Sequence, residues 1–421
     1  MKKAGRVHYA WIVLACSTLV VFGALGLARF GYSIILPAMQ QGLGLDNTGA
    51  GALATANLVG YLALSLLGGA LASRYGPRWV ATIGMGLVSA GMALTGAANS
   101  LLSAMVWRAL TGIGSGASNV PVMGLVAAWF GPRRRGLAAG IAVAGSSLGL
   151  MVSGPLVPRI LAANPFTGWR VSWYLFAAAA LGLAWLAALL LRDRPAQIGL
   201  QPLGGDSEAP ASSSPGDPSL PWRVVYLAPR VWHLGAVYAA FGFSYIIYMT
   251  FFVRFLVSEA GYSARRAGGL FMLMGAFSLA CGLIWGALSD RIGRKWALAL
   301  VFLTHSLAFS LFVLWPQPPG LTLSAVLFGL SAWSIPAIMA AACGDVLGAR
   351  MAPAALGFIT LFFGVGQAVA PSVAGAMADA SGSFTTAFLL AAGVALLGAL
   401  GSLGLRIAPQ AQPASLKTAG G

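Results

Sequence analysis

Apolar positions in this chain come in long unbroken runs. They lack the one-in-two rhythm of a half-buried strand and the narrow stripe of a surface helix. A helix that is apolar on all sides is buried in protein or in lipid. About 20 such residues cross a bilayer. Twelve runs approach or exceed that length: 9–37, 48–72, 79–98, 101–128, 137–161, 169–191, 230–256, 264–288, 296–314, 320–345, 354–378 and 384–406. Membrane barrels need alternating polar and apolar residues, and these runs do not alternate. The pattern predicts an all-α membrane protein with twelve transmembrane helices.

The runs also repeat. Gly69-Ala70-Leu71-Ala72-Ser73-Arg74-Tyr75-Gly76-Pro77-Arg78 answers to Gly286-Ala287-Leu288-Ser289-Asp290-Arg291-Ile292-Gly293-Arg294-Lys295, 217 positions on. Gly112 matches Gly329, Gly131 matches Gly348 and Gly140 matches Gly357 at the same spacing. Two such halves predict two pseudo-symmetric six-helix bundles with a site between them.

Composition agrees. Hydrophobic residues make up 58% of the chain and charged ones 8%, against about 25% charged in soluble domains. The net charge of +16 suggests nucleic acid at first sight. Its distribution excludes that partner. With the N-terminus inside, 18 Lys and Arg fall on the cytoplasmic side and five outside, with Arg29 and Arg108 within spans. That bias places both termini in the cytoplasm of a bacterial inner membrane. The basic start and first apolar run read as a span and not as a removable signal.

Polar composition interrupts the runs once. From Gly204 to Pro218 the chain is Gly, Ser, Pro, acid and two alanines, and cannot bury an apolar face. The expected organisation is an N-terminal bundle (1–191), a partly disordered linker (192–229), a C-terminal bundle (230–407) and a disordered tail (408–421). Cys16, Cys281 and Cys343 all lie in apolar helices, with no disulfide or metal spacing. No phosphate-binding GxxxxGK[ST] loop occurs. No cofactor, no metal and no enzyme activity are expected, and the chain is expected to act as a monomer.

Residues 8–407 resemble the major facilitator superfamily. Gly286-x-x-x-Asp290-Arg291-x-Gly293-Arg294-Lys295 is similar to its best-known signature. The resemblance implies a gating charge cluster of Asp290, Arg291 and Arg294. The matching first-half loop has Ser73 where the acid is expected, so the second half is expected to carry the gate. Arg108-x-x-Thr111-Gly112-x-Gly114-x-Gly116 resembles a second signature, and Gly140, Gly145, Gly149 and Gly154-Pro155 resemble a glycine-rich one associated with antiporters. The start of the linker, Arg192-Asp193-Arg194-Pro195 through Gly204, is similar to bacterial monocarboxylate and oxalate/formate-type carriers. Arg29-Phe30-Gly31-Tyr32 with Leu36-Pro37 resembles another bacterial branch. Those carriers bear an anion-binding Arg four residues before the signature glycine. Gly282 stands there, so that site does not carry over.

An ionisable residue inside a span is expensive and marks a functional candidate. Arg29, in the first run, is the deepest. Its forked guanidinium suits a carboxylate or sulfonate. The alternative is that it bonds backbone carbonyls at a break near Gly31 and Pro37. Arg108 divides between a structural role and a coupling role. None of the nine acids lies at mid-membrane, which argues against a cationic substrate. His305 is read as packed within its helix, with a proton relay as the alternative. Tyr32, three residues after Arg29, adds a hydroxyl. Asn119, Tyr245, Tyr248, Trp333 and Gln367 complete a small, partly aromatic pocket. The expectation is a secondary carrier of a small organic anion by alternating access, with a proton as the candidate coupling ion. The rivals are an exporter of neutral amphipathic compounds and a non-transporting sensor.

Overall fold

The computed structural model describes residues 8–204, 222–348 and 351–405. These residues are nearly all helical, and their one β-type contact is an isolated bridge from Phe130 to Leu203. The first six long helices are α1 (Tyr9–Leu43), α2 (Asn47–Tyr75), α3 (Pro77–Ala97), α4 (Leu101–Trp129), α5 (Pro132–Ala163) and α6 (Gly168–Leu190). The second six are α7 (Pro229–Ser258), α8 (Ala264–Ser278 and Cys281–Ile292), α9 (Arg294–Leu314), α10 (Pro318–Leu347), α11 (Ala352–Ser381) and α12 (Thr385–Leu403). Among the described residues, nine helices are long and apolar enough to cross a membrane, and the bent α2 and α8 bring the number to eleven. The twelfth, α4, falls short because Thr, Ser, Gly and Asn fill its middle. It is sheltered by protein instead: Arg108, Thr111, Ser115 and Ser118 are all buried.

Capping residues set several of the helix starts. Asp46 accepts from Gly49 N at 2.7 Å, and Ser100 and Ser103 form a reciprocal box. The repeat is visible in detail. Gly76 and Gly293, 217 apart, both take positive φ (85° and 87°) at the turn into the next helix. A Cβ on Gly112 would lie 1.9 Å from Asn57 O, and one on Gly329 would lie 2.7 Å from Met274 O. Asn57 and Met274 are themselves 217 apart, so the same close helix crossing occurs in both bundles.

α1 differs from its expected form. It runs six residues beyond Pro37, to Leu43, without breaking at the proline. The irregular stretch lies earlier, where Phe22–Phe30 is π-helical. Such wide turns displace carbonyls from the regular ladder. Two α4 side chains take them up: Ser115 Oγ donates to Ala24 O at 2.8 Å, and Arg108 Nη1 to Ala28 O at 2.7 Å. Gly26 and Gly149 lie back to back there, leaving no room for a Cβ on either.

The bundles meet along α2–α11, α5–α8 and α1–α7. Their contacts gather at the end away from the chain termini. Gly51 abuts Pro371 O, Gly375 abuts Asn47 O and Gly154 abuts Gly268 O. Asp379 of α11 accepts from Asn47 N (3.0 Å), Thr48 N (2.7 Å) and Thr48 Oγ1 (2.6 Å) at the start of α2. Toward the other end of the same four helices, Gly69, Gly140, Gly286 and Gly357 have open space around them. The contacts plug one end of the seam, and the glycines toward the other end make none across it.

The first part of the linker is ordered against α4. Leu203 N donates to Trp129 O, Gly131 N to Leu203 O and Trp129 Nε1 to Arg192 O. A short helix, Trp222–Leu227, precedes α7. The disorder expected in the linker from 205 onward and in the tail falls outside the described residues.

Candidate functional site

Arg29 sits on the π-helical stretch of α1, about 5 Å past the midpoint of the longer helix at about 1.5 Å per residue. It is half-buried. Its guanidinium carbon lies 4.0 Å from the centroid of the Tyr61 ring, on α2. Nε and Nη2 are buried without hydrogen-bond partners. No bond from Arg29 to a carbonyl occurs among the described residues, and Arg108 has that role instead. Asn119 of α4 donates to the Tyr61 hydroxyl at 3.1 Å, extending the same polar face.

The second bundle faces this group with aromatic rings and an amide. Tyr245 of α7 donates to Gln367 Oε1 of α11 at 2.9 Å, and its hydroxyl lies within electrostatic reach of Arg29. Phe363 and Phe241 stack on Tyr245 at 5.9 and 4.6 Å between centroids. Trp333, at the break in α10, is 5.1 Å from Phe30 and 6.5 Å from Tyr245. Its Nε1 donates to Ser147 of α5 at 3.1 Å, and Ser147 also accepts from Ser278 at the α8 bend. Arg29, Asn119, Tyr245, Gln367 and Trp333 thus converge on the seam. An unpaired cation over an aromatic face, ringed by amides and hydroxyls, can receive an anion.

Two residues expected in this pocket lie elsewhere. Tyr248 points into the second bundle, where Phe252, Phe309, Phe312, Phe328 and Phe388 surround it and its hydroxyl meets Ser324 at 2.6 Å. Tyr32 is buried and donates to Ala50 O at 2.7 Å, so its hydroxyl is already engaged within the first bundle. Arg108 lies over Tyr32 and Trp173, 4.9 and 5.0 Å from their centroids, and holds Ala28 O. His305 is fully buried against Phe241, Phe309 and Phe328. Tyr61 was not among the sequence candidates. A tyrosine in the middle of a seam helix built mostly of apolar and small residues was the available signal.

The gate residues also rearrange the expectation. Arg294 pairs with Asp290 at 2.5 Å and with Asp345 at 3.3 Å, and donates to Ser289 Oγ at 2.9 Å. Arg291 is exposed and forms no ion pair among the described residues. In the first bundle Ser73 merely bonds its own turn, at Ala70 O. Asp193, from beyond α6, fills the role of the missing acid by accepting from Arg78 N at 2.7 Å. Both clusters tie helices within a bundle, and neither links the two.

A family profile described as "Uncharacterised MFS-type transporter YbfB" matches residues 21–403. The chain belongs to this family of major facilitator transporters. It is a multi-pass membrane transporter and not an enzyme. This MFS-type transporter is 28% identical to the "Probable sulfoacetate transporter SauU" of Cupriavidus necator, over 94% of each chain. It is 28% identical to the "Hexuronate transporter" of Bacillus subtilis, over 89% of each. Among solved structures, a D-xylose-proton symporter superposes with a TM-score of 0.73 at 14% identity, covering 94% of this chain and 98% of the other. That likeness speaks for the fold alone.

Proposed function

We propose that this transporter carries a small organic anion across a bacterial inner membrane, with Arg29 as the binding charge. One observation carries the reading. Arg29 presents a cation over the Tyr61 ring at the seam, and no acid pairs with it among the described residues. No Asp or Glu occurs in α1, α2, α4 or α7 to neutralise it. A buried, uncompensated charge is costly, and an anion relieves that cost. The named substrates of the relatives, sulfoacetate and hexuronate, are both acids.

The positive-inside count makes the plugged end the outer one. An anion then reaches Arg29 from the cytoplasm, and the plug at α2–α11 shuts the far side. Tyr245 and Gln367 face it from the second bundle, so rocking of the bundles exchanges access around one site.

The test is thermal stability of purified protein with sulfoacetate, glucuronate and tartrate beside neutral xylose and a neutral amphiphile. Saturable stabilisation by an acid, about 2.7 kcal/mol at a hundred times Kd, is expected and is lost in Arg29→Gln. Stabilisation by a neutral compound that persists in Arg29→Gln would overturn the reading.

A further inference from the structure

Beyond Arg29, on the plugged side, lies a small chamber. α1, α2, α4 and α7 wall it, and its volume is ≈ 10 Å³. That is room for one water-sized particle. Arg29, Ser33, Asn57 and Arg108 all line it. Each carries a buried polar atom with no hydrogen-bond partner: Arg29 Nε and Nη2, Arg108 Nε, Ser33 Oγ and Asn57 Oδ1. Asn57 Nδ2 donates to Arg108 O at 3.1 Å, which fixes the amide and leaves Oδ1 as an acceptor. The other four atoms can all donate.

Charge is as lopsided as hydrogen bonding. Arg29 and Arg108 lie within Coulomb range of each other, and the four walls contain no acid. A water would meet the donors but leave two like charges facing each other in a low dielectric. The space is that of one small particle: a chloride, slightly larger than a water, needs the lining to give a little, and the carbon chain of an organic acid finds no room.

We propose that this chamber is a separate site for a halide-sized inorganic anion, chloride under ordinary ionic conditions, held between Arg29 and Arg108. It compensates Arg108 and shares Arg29 with the seam pocket. The proposal rests on both arginines being charged, and it does not require that the carried compound be an anion.

The test uses the substrate-free protein in detergent. Its melting temperature is titrated with sodium chloride and sodium bromide against sodium glutamate at constant ionic strength. Crystals containing bromide are measured at the bromine absorption edge. A saturable rise with both halides but not glutamate, with an anomalous peak between Arg29 and Arg108, is expected. Ser33→Val removes a donor and adds a methyl group to the chamber, and should raise the half-saturating halide concentration at least tenfold. Ser33→Ala, a milder change, should raise it several-fold. No halide-specific rise, or no bromide peak, overturns the proposal. An equal rise with sodium acetate or methanesulfonate also overturns it, because the chamber would then belong to the acid head of an organic substrate. Failure here leaves the Arg29-dependent response to organic acids as a separate readout.

Discussion

Arg29 and Arg108 carry the same side chain at neighbouring depths, yet their surroundings differ. Arg108 is 1% exposed, donates to Ala28 O and lies over two aromatic rings. Its charge holds together a helix whose π-helical turns would otherwise leave a carbonyl unmet. Arg29 is half-buried, lies over one ring, and has no acceptor for Nε or Nη2. A charge costly to bury is kept in both places. In one place it holds a carbonyl of the fold, with Nε left over. In the other, on the reading proposed above, two nitrogens are left for a ligand. The helix irregularity connects them, because it both frees Ala28 O for Arg108 and carries Arg29.

The sharpest way to break this contrast is to neutralise each arginine separately. Arg29→Gln should cost about 2–5 kcal/mol of substrate affinity, on the scale of removing one partner of a desolvated charge pair. Its melting temperature without substrate should fall only slightly, since the variant gives up the contact with the Tyr245 hydroxyl but no bond to a backbone carbonyl. Arg108→Gln should do the reverse. It strands Ala28 O, at about 1–3 kcal/mol of stability. Paired binding and melting measurements decide the matter. If both variants lost affinity and stability alike, the division of roles would be wrong.

Tyr61 sharpens the comparison from the ring's side. Tyr61→Leu removes the aromatic face under Arg29 and should weaken binding by about 1–2 kcal/mol. Tyr61→Phe keeps the face and loses only the bond from Asn119, with an effect of about 1 kcal/mol or less. An equal loss in both variants would mean that the hydroxyl, and not the ring, positions Arg29.

Much of this architecture was legible in the sequence. The apolar runs located all twelve helices, and the 217-residue repeat located turns that share a positive-φ glycine. Arg29 stood out because a charge in an apolar run is costly, although backbone carbonyls offered it a bland alternative partner. What its guanidinium touches was not. Tyr61 comes from another helix, and only tertiary packing brings it beneath Arg29. The π-helical stretch was equally hidden, since its displaced carbonyls are satisfied by Ser115 and Arg108 of α4. Tyr248 was misplaced for a different reason. Every α7 residue from Ser244 to Val253 is buried, so periodicity cannot tell the seam face from the face toward the second bundle's own core.

The smallest expected effect concerns the loop cluster, and it reverses an expectation drawn from the signature alone. That reading makes Asp290 the decisive acid. The structure gives Arg294 two acids of unequal standing: the side chain of Asp290 is 67% exposed and that of Asp345 only 17%. Asp290 and Arg294 are four residues apart across a tight turn, and an exposed pair of this kind contributes about 0–1 kcal/mol. Asp345 reaches Arg294 from the end of α10, so its pair ties α9 to α10 at the end opposite their connecting loop. Any rocking of the second bundle as one body depends more on that tie. Asp345→Asn should slow flux in vesicles several-fold, and Asp290→Asn by about twofold or less. High salt should erase the Asp290 effect first, because screening acts most on exposed charges. A larger defect in Asp290→Asn than in Asp345→Asn would return the gate to the signature acid.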